Sequence, residues 1–478
     1  MAGLRYVFVS ALIGGAVIAG SVAPSGAQTQ ARRQATYSKD VAPILQAKCQ
    51  SCHEPGSIGP MSLMTFQDSR PWARSIKGRV TARQMPPWHI DPGVGVQKFA
   101  NDMSLTDEEI ATIVAWVDGG ARQGDPADFT PKPPTSELYW QAERDGYGPP
   151  DLVIQTPKQT MPPVGQDVHW TPTSDVPLKE PRWMRMVEIR PLTLQSRKML
   201  HHVVAYHLLA DGNVMATNVG IAAPGADRPD PEVERLHRRP QLMEWSVGKR
   251  YDRYPQGAGK LLMPGDKIAW DQHVHAVGEE ITGGAELGIW FYPKGQAPKP
   301  SYLAAFTALK GGPSSLDISP NSTLETEGST MLKEHTLVRS FQPQFNFRGR
   351  SMKVEAILPD GRTEVVGSVS KYDPNWITNY VFHDDVAPIL PKGTTIRVTA
   401  SFDNTKANRD NPDPEQRVGY GDRDVDETAH AWMDVVYLTE AEYRQRLDER
   451  RAASASGDVA GQADSSTAAP DAVSPAPR

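Results

Sequence analysis

The sequence predicts a multi-domain chain in which a small all-α domain is followed by two all-β sandwiches. A chain of 478 residues is too long for one compact core, and its length suggests about three domains. Apolar residues at helical spacing flank a short cysteine motif near the N-terminus. After about residue 148, short β-branched and aromatic runs alternate with many of the 42 prolines and 39 glycines, which favours strands joined by turns.

The N-terminus has the pattern of a secretory signal peptide. Arg5 precedes an apolar run from Tyr6 to Val22, and small residues follow up to Ala27. This pattern predicts a signal peptide at residues 1–27 and a periplasmic or secreted mature protein. An uncleaved membrane anchor is the alternative, although glycines interrupt the run. No other segment is apolar enough to span a bilayer, so we expect no stable membrane span after cleavage.

The charge balance excludes two classes of protein. There are 51 basic and 57 acidic residues, a net charge of −6, and no basic cluster that would serve as a nucleic-acid-binding face. There is also no acidic run of the kind found in disordered activators. We therefore expect no nucleic-acid partner.

The motif Cys49-Gln50-Ser51-Cys52-His53 predicts covalent haem attachment. Two cysteines spaced by two residues can form thioether bonds to haem, while the histidine that follows takes one axial position on the iron. These are the only cysteines in the chain, so neither a disulfide framework nor a four-cysteine zinc site can form. A thioredoxin-like redox pair and a chance match are the alternatives.

Helical patterns on both sides of the motif predict an all-α domain at residues 37–125. Apolar residues recur at helical spacing from Val41 to Leu45, just before the motif. Thr106 and Glu109 form a capping box ahead of a second helical run, which Gly119-Gly120 stops. A small helical domain with one helix leading into the haem motif and another closing it resembles cytochrome c.

The second axial ligand of the iron is predicted to be Met85. The sequence Gln84-Met85-Pro86-Pro87-Trp88 puts a thioether on a stiff loop, which can hold a weak axial bond at small entropic cost. Alternatively, Met85 only packs against the porphyrin. Methionine ligation raises the reduction potential relative to two histidines and suits an electron acceptor or relay. The other candidates are Met61, Met64, Met103 and His89.

Composition divides the rest of the chain into four segments. A proline-rich stretch predicts a semi-rigid linker at residues 126–147. Two β-sandwiches are expected at residues 148–312 and 313–445, with the break near Gly311-Gly312-Pro313. Residues 446–478 are rich in Ala, Ser, Asp and Pro and are predicted to be a disordered tail.

Clustered histidines predict a metal site in the first sandwich. His201 and His202 are adjacent, and His273 and His275 alternate, which on a strand puts both of the latter on one face. Three imidazoles brought together from two strands make a good type-2 copper site, because imidazole holds both Cu(I) and Cu(II). The alternative is surface or core histidines with satisfied hydrogen bonds.

Residues 148–445 resemble the copper type II, ascorbate-dependent monooxygenases, such as peptidylglycine α-hydroxylating monooxygenase and dopamine β-monooxygenase. Nearly the whole mature chain is similar to their bacterial relatives that carry an N-terminal cytochrome c domain. The resemblance is carried by Cys49–His53 with Met85–Trp88, His201–Val204, His273 with Gly278, Phe347–Met352, Leu358–Gly361, Phe402–Asn404 and Asn411–Pro414.

This resemblance implies two jelly-roll-like domains with one copper centre on each. The electron-supplying centre, bound by three histidines, carries over to His201, His202 and His273. His275 is a possible further copper ligand or a residue behind the ligands. The other centre, bound by two histidines and a methionine, binds oxygen and faces the substrate.

The ligands of that second centre are replaced in this chain. Where the family has Pro-His-x-His, this sequence has Pro343-Gln344-Phe345-Asn346, and where the family has Asp-Glu-Met it has Asp426-Glu427-Thr428. Amide and hydroxyl oxygens are poor partners for Cu(I). Gln344, Asn346 and Thr428 therefore predict a vacated site. A centre rebuilt from His430, with Met433 nearby, is the alternative.

Together these features predict an exported redox protein that carries haem c and one copper ion and performs electron transfer. Its partner would be a redox protein or a small reductant. One alternative is a copper- and ascorbate-dependent monooxygenase that hydroxylates a small molecule or peptide. Another is a metal-free binding or scaffold module fused to a cytochrome c.

Overall fold

The computed structural model describes residues 34–55, 59–130, 138–208, 241–246, 249–254, 258–296, 301–306, 316–421, 423 and 425–455. The predicted signal peptide lies outside these residues, as does the predicted tail from residue 456 onward. The first ten residues of that predicted tail are helical. No helix within the described ranges is long and apolar enough to cross a membrane.

Most helices are short and lie in the N-terminal part of the chain. The predicted capping box starts α4: Glu109 N donates to Thr106 Oγ1 (3.1 Å) and Thr106 N donates to Glu109 Oε2 (2.8 Å). α1, α3 and α4 pack around Leu45, Ile76 and Ile113. The α-helices are α1 Ala42–Lys48, α2 Phe66–Ser69, α3 Ala73–Thr81, α4 Asp107–Asp118, α5 Leu194–Met199 and α6 Glu440–Ala455.

The prediction of an all-α cytochrome c domain is wrong. The segment between α3 and α4 runs along the β region: Asp91 N donates to Ser368 O (2.8 Å), and Ala100 N donates to Val381 O (2.8 Å). Trp88 packs edge-on against a tyrosine of the β region. This segment has no apolar period of its own and buries its apolar side chains in the larger core. The helices therefore belong to the same compact, mostly β unit as the strands.

The described part of the β region has 24 strands. The first half comprises β1 Leu152–Gln155, β2 Gln159–Met161, β3 Val168–Trp170, β4 Thr173–Asp175, β5 Arg182–Pro191, β6 Leu200–Leu208, β7 Gln241–Ser246, β8 Asp252–Arg253, β9 Ala258–Leu262, β10 Lys267–Val274, β11 Ile281–Gly283 and β12 Ala285–Phe291. The second half comprises β13 Ser301–Phe306, β14 Asp317–Ile318, β15 Thr323–Met331, β16 His335–Val338, β17 Ser340–Gln344, β18 Gly349–Ile357, β19 Thr363–Val369, β20 Tyr380–Val381, β21 Ile389–Leu390, β22 Thr395–Asp403, β23 Val418–Gly419 and β24 His430–Leu438.

The predicted pair of separate sandwiches is also wrong, because the largest sheet contains strands from both. Its order is β1-β12-β5-β9-β13-β24-β16-β21. β13 joins the two parts by pairing in parallel with β9 and antiparallel with β24. Short apolar runs show where strands lie but not which strands pair across long sequence distances. The predicted break near residue 312 lies outside the described residues.

A smaller sheet, ordered β3-β10-β6-β7 with β4 also paired to β10, positions the predicted histidines. One of its faces packs into the main core through Val203, Trp245 and Trp270, which are all buried. The opposite face carries the polar residues described below. Burial of the apolar face fixes the register of these strands, and so fixes which side chains meet on the polar face.

Candidate metal centre

Three histidines meet on the polar face of this sheet. His202 of β6 lies directly opposite His273 of β10. The register shifts after His273, so that Val274 pairs with Leu200 and His201 has no opposite residue. Adjacent residues of a regular strand point to opposite faces, but a β-bulge re-aims the extra residue. The bulge is therefore what lets His201 and His202 reach the same site.

The ring nitrogens converge at distances suited to one metal ion. His201 Nδ1 lies 3.3 Å from His202 Nδ1 and 3.1 Å from His273 Nδ1. With metal–nitrogen bonds of about 2.0–2.1 Å, such separations correspond to angles of about 100° at the ion. His202 and His273 are buried and His201 is half-buried, so the site is shielded but reachable. This cluster could hold a metal ion.

His275 lies farther out than the other three. Its ring centroid is 6.4 Å from that of His201, and its backbone N–H donates to Met199 O (2.9 Å). It is not part of the group whose ligand atoms lie within 4.8 Å of one another. The structure therefore separates His275 from the convergent set.

Two residues that the sequence analysis did not identify support His273. Asp167 Oδ2 lies 3.4 Å from His273 Nε2, on the side away from the convergent Nδ1 atoms. The ring of His169 stacks on that of His273, with centroids 4.5 Å apart, and His169 Nδ1 lies 2.8 Å from Asp271 Oδ1. A carboxylate behind a ligating imidazole fixes its tautomer and orientation. The only sequence signal was one Asp-x-His alternation, which is too common to indicate a site.

Asp167→Asn is expected to weaken metal binding without abolishing it. The amide removes the negative charge behind His273, and loss of such a partner typically lowers metal affinity by about 10- to 100-fold. Competition with a chelator of known affinity measures the change. Asp175→Asn, at an exposed residue of β4 paired with Lys267, is the control. Equal affinities in the two variants would contradict a role for Asp167.

The haem motif forms a tight turn at the end of α1. Cys52 N (3.2 Å) and His53 N (3.0 Å) both donate to Cys49 O. The two cysteines and the histidine therefore belong to a single turn of the backbone. Burial raises the pKa of the Cys49 thiol to about 12 and also raises the pKa of Cys52. Both side chains are therefore neutral thiols at pH 7.

The orientation of His53 suits an axial ligand. Its Nδ1 lies 3.1 Å from Met61 O, and because a carbonyl only accepts, Nδ1 carries the proton and Nε2 keeps its lone pair. A Cβ at Gly59 would lie 2.4 Å from His53 Nδ1, so glycine is required beside the ring. Covalent haem attachment by Cys49 and Cys52 stays a prediction.

The loop that carries Met85 contacts the β region. His89 N donates to Tyr380 Oη (3.1 Å), and Trp88 packs on the same tyrosine with ring centroids 4.8 Å apart. The methionine beside His53 is Met61, which contributes its backbone carbonyl. Met85 as the sixth ligand stays a prediction.

A charge from another part of the chain also acts on Cys52. Burial raises the pKa of the Cys52 thiol, whereas the Ser51 hydroxyl and the positive charge of Arg197 lower it. Arg197 belongs to α5, the helix that leads directly into β6 and His201.

The residues predicted to mark a vacated site mostly have protein partners. Gln344 Oε1 accepts a hydrogen bond from Trp432 Nε1 (2.6 Å), and Asn346 Nδ2 donates to the carbonyls of Arg423 and Asp426 (both 3.1 Å). The hydroxyl of Thr428 is buried without a hydrogen-bond partner. In the described part of the chain, no other group of three His, Cys, Asp or Glu side chains converges as the histidine cluster does.

Among the described residues, His430 is not part of a second group of convergent metal-binding side chains. His430 lies opposite Gln344 in the pairing of β17 with β24. Its ring lies next to that of Trp432, with centroids 5.3 Å apart. Met433 is fully buried in the main core.

A buried charge network occupies this region instead. The Glu427 carboxylate accepts hydrogen bonds from the backbone N–H groups of Arg348 (2.5 Å), Asn346 (3.1 Å) and Thr428 (3.3 Å). The fully buried guanidinium of Arg348 donates to Asn404 Oδ1 (2.7 Å) and to the carbonyls of Val425 (3.0 Å) and Asp413 (3.3 Å). No local sequence pattern predicts this network, because its members come from separate segments of the chain.

Glu427 should make stability pH-dependent. Burial raises the pKa of its carboxyl from 4.5 to about 7. The unfolded chain therefore releases this proton first, and the folded state loses stability as pH rises from about 4.5 to 7. Glutamine does not ionise, so the unfolding free energy of Glu427→Gln minus that of wild type should be about 3 kcal/mol larger at pH 8 than at pH 4.5. Urea unfolding at both pH values tests this, and an unchanged difference would contradict it.

Comparison with known proteins identifies no family. No protein-family model and no curated protein matches the chain. Among solved structures, it is similar to an allantoicase (11% identity, 49% of this chain and 75% of that chain, TM-score 0.14). It is also similar to the infectious bursal disease virus VP2 subviral particle (11% identity, 55% and 59%, TM-score 0.17). Similarities this low carry no argument about fold or function.

Proposed function

We propose that this protein is an exported electron-transfer protein that carries covalently bound haem and one copper ion. The observation that carries the proposal is the convergence of three imidazoles, in which His201 Nδ1 lies 3.3 Å from His202 Nδ1 and 3.1 Å from His273 Nδ1. The resemblance of the sequence to copper monooxygenases with an N-terminal haem motif supports the choice of copper.

The donor set supports copper at the histidine cluster. Three imidazoles suit both Cu(I) and Cu(II). Asp167 and His169 would hold His273 in place during a change of oxidation state. Cys49 and Cys52 would hold the haem and His53 would ligate its iron, with Met85 as the proposed sixth ligand.

When bound, haem and copper would each supply a one-electron redox centre. The role of the chain is to position the two sites. The turn at the end of α1 holds Cys49, Cys52 and His53 together, and the bulge at His201 lets both adjacent imidazoles reach one site. An external redox protein or a small reductant would supply the electron.

The region around Gln344, Asn346 and Thr428 supports electron transfer over oxygenation. Two of these side chains have protein hydrogen-bond partners, and none is an imidazole or thioether that would hold Cu(I). An oxygen-activating centre there would need to displace these contacts.

Stopped-flow reduction tests the proposal. Protein exported with its haem and loaded with copper is mixed with ascorbate or a reduced small cytochrome, and the haem absorbance is followed with the Cu(II) signal. We expect haem and copper to reach redox equilibrium within seconds, and His202→Ala protein to lose the copper phase only. Failure to equilibrate would refute electron transfer between the sites, and product-coupled oxygen uptake that depends on His273 would favour a monooxygenase.

A further inference from the structure

A small polar cavity of about 20 Å³ lies between β7 and the strands β17 and β24. This volume has room for one water-sized occupant and is too small for an organic substrate. Its wall combines residues from both halves of the β region. Its polar lining residues are Glu244, Lys249, Asp252, Ser340, Gln342, Asn379 and Asp434, with Trp432 beside them.

Two buried oxygen atoms in this wall have no hydrogen-bond partner. They are Glu244 Oε1 and Asn379 Oδ1, on side chains that are 3% and 6% exposed. The other carboxylate oxygen of Glu244 accepts from the side-chain amide of Gln342. Leaving a buried acceptor without a partner costs about 1–3 kcal/mol. A cation or a hydrogen-bond donor in the cavity would therefore stabilise both oxygens.

The charges around the cavity favour a cation. Glu244, Asp252 and Asp434 face it, whereas the positive charges near them are Lys249 and Lys260. Lys249 Nζ is engaged 2.9 Å from Asp252 Oδ1. Burial also raises the pKa of Glu244 to about 7. A water molecule would satisfy the two oxygens but would not offset the excess of three carboxyl groups over two lysine side chains.

We propose that the cavity is a binding site for one hard cation of the Ca²⁺ class, ligated by Glu244 Oε1 and Asn379 Oδ1 and supported by the carboxylates of Asp252 and Asp434. Ca²⁺ prefers carboxylate and amide oxygens and accepts irregular geometry. The site differs from the histidine cluster, which offers nitrogen only. A cation there would link β7 to β17 and β24 and would stabilise the fold.

Calcium titration of the full-length mature protein, after dialysis against a chelator, tests the site. Isothermal titration calorimetry should show one tight equivalent, and added Ca²⁺ should raise the urea midpoint of unfolding. Glu244→Gln and Asn379→Leu should each weaken this equivalent by about tenfold or more. Asn379→Asp, which adds a charged oxygen ligand, should tighten it and covers the case in which the other variants fold poorly.

Glu188→Gln is the matched control. Glu188 is also a buried glutamate with a pKa raised to about 7, but its two oxygens accept from the backbone N–H groups of Gln141 (2.7 Å) and Ala142 (3.0 Å). This variant should retain calcium binding. Absence of the tight equivalent in the wild type, or its persistence in Glu244→Gln, would overturn the proposal.

Discussion

Replacing His273 with alanine is expected to abolish tight copper binding. His273 supplies one of the three convergent Nδ1 atoms and is 3% exposed, so no solvent-side group can take its place easily. Two imidazoles without the third leave a site that binds weakly, and we expect the affinity for copper to fall by more than about 100-fold. After passage over a mild chelating resin, copper per haem should fall from one to near zero.

His275→Ala is the matched control for this experiment. The two histidines belong to the same short segment, but the His275 ring lies outside the convergent group. The variant should keep one copper per haem and an unchanged Cu(II) electron paramagnetic resonance spectrum. If His275→Ala loses copper while His273→Ala keeps it, the ligand set derived from the structure is wrong.

Metal analysis also separates the functions that the sequence left open. One copper per haem, lost in His273→Ala, is expected for an electron-transfer protein. A second tight equivalent that depends on His430 would indicate a rebuilt oxygenase centre. Negligible copper in protein with intact haem would indicate a binding or scaffold role.

The histidine cluster could be predicted from the sequence in part. Alternation on a strand and the adjacent pair at His201 and His202 indicated a metal site, because few other roles bring so many imidazoles together. Alternation alone, however, puts adjacent residues on opposite faces. The bulge that turns His201 inward depends on the pairing of β6 with β10, which no local pattern shows. His169 reaches His273 through a second long-range pairing, of β3 with β10, and Asp167 immediately precedes β3.

The domain division could not be predicted from local patterns. The capping box at Thr106 and Glu109 correctly started α4, because it depends on residues close in sequence. The union of both β halves in one sheet depends on β13, a six-residue strand that pairs with β9 and β24. The N-terminal helices join this unit through irregular backbone at Asp91 and Ala100, which has no periodic signal.

Arg348→Met is expected to destabilise the protein by about 3–5 kcal/mol, a range typical of removing one partner from a buried charge network. The guanidinium is fully buried, and its loss leaves Asn404 Oδ1 and the carbonyls of Val425 and Asp413 without this donor. It also removes the positive charge that offsets the burial of Glu427. Urea unfolding at pH 7 measures the change in unfolding free energy.

Arg350→Met is the control, because Arg350 lies two residues farther along the chain, in β18, is partly exposed, and approaches Asp410 only to 3.8 Å. A partly exposed ion pair contributes at most about 1 kcal/mol, so the two variants should differ by several kcal/mol. Similar losses of stability in the two variants would show that any substitution in this segment destabilises the protein, whether or not it removes the hydrogen bonds of Arg348. Folded Arg348→Met should still bind copper at the histidine cluster, since the network lies on different strands. A large loss of stability with copper binding intact would mean that the network around Arg348 stabilises the fold and takes no part in the histidine cluster.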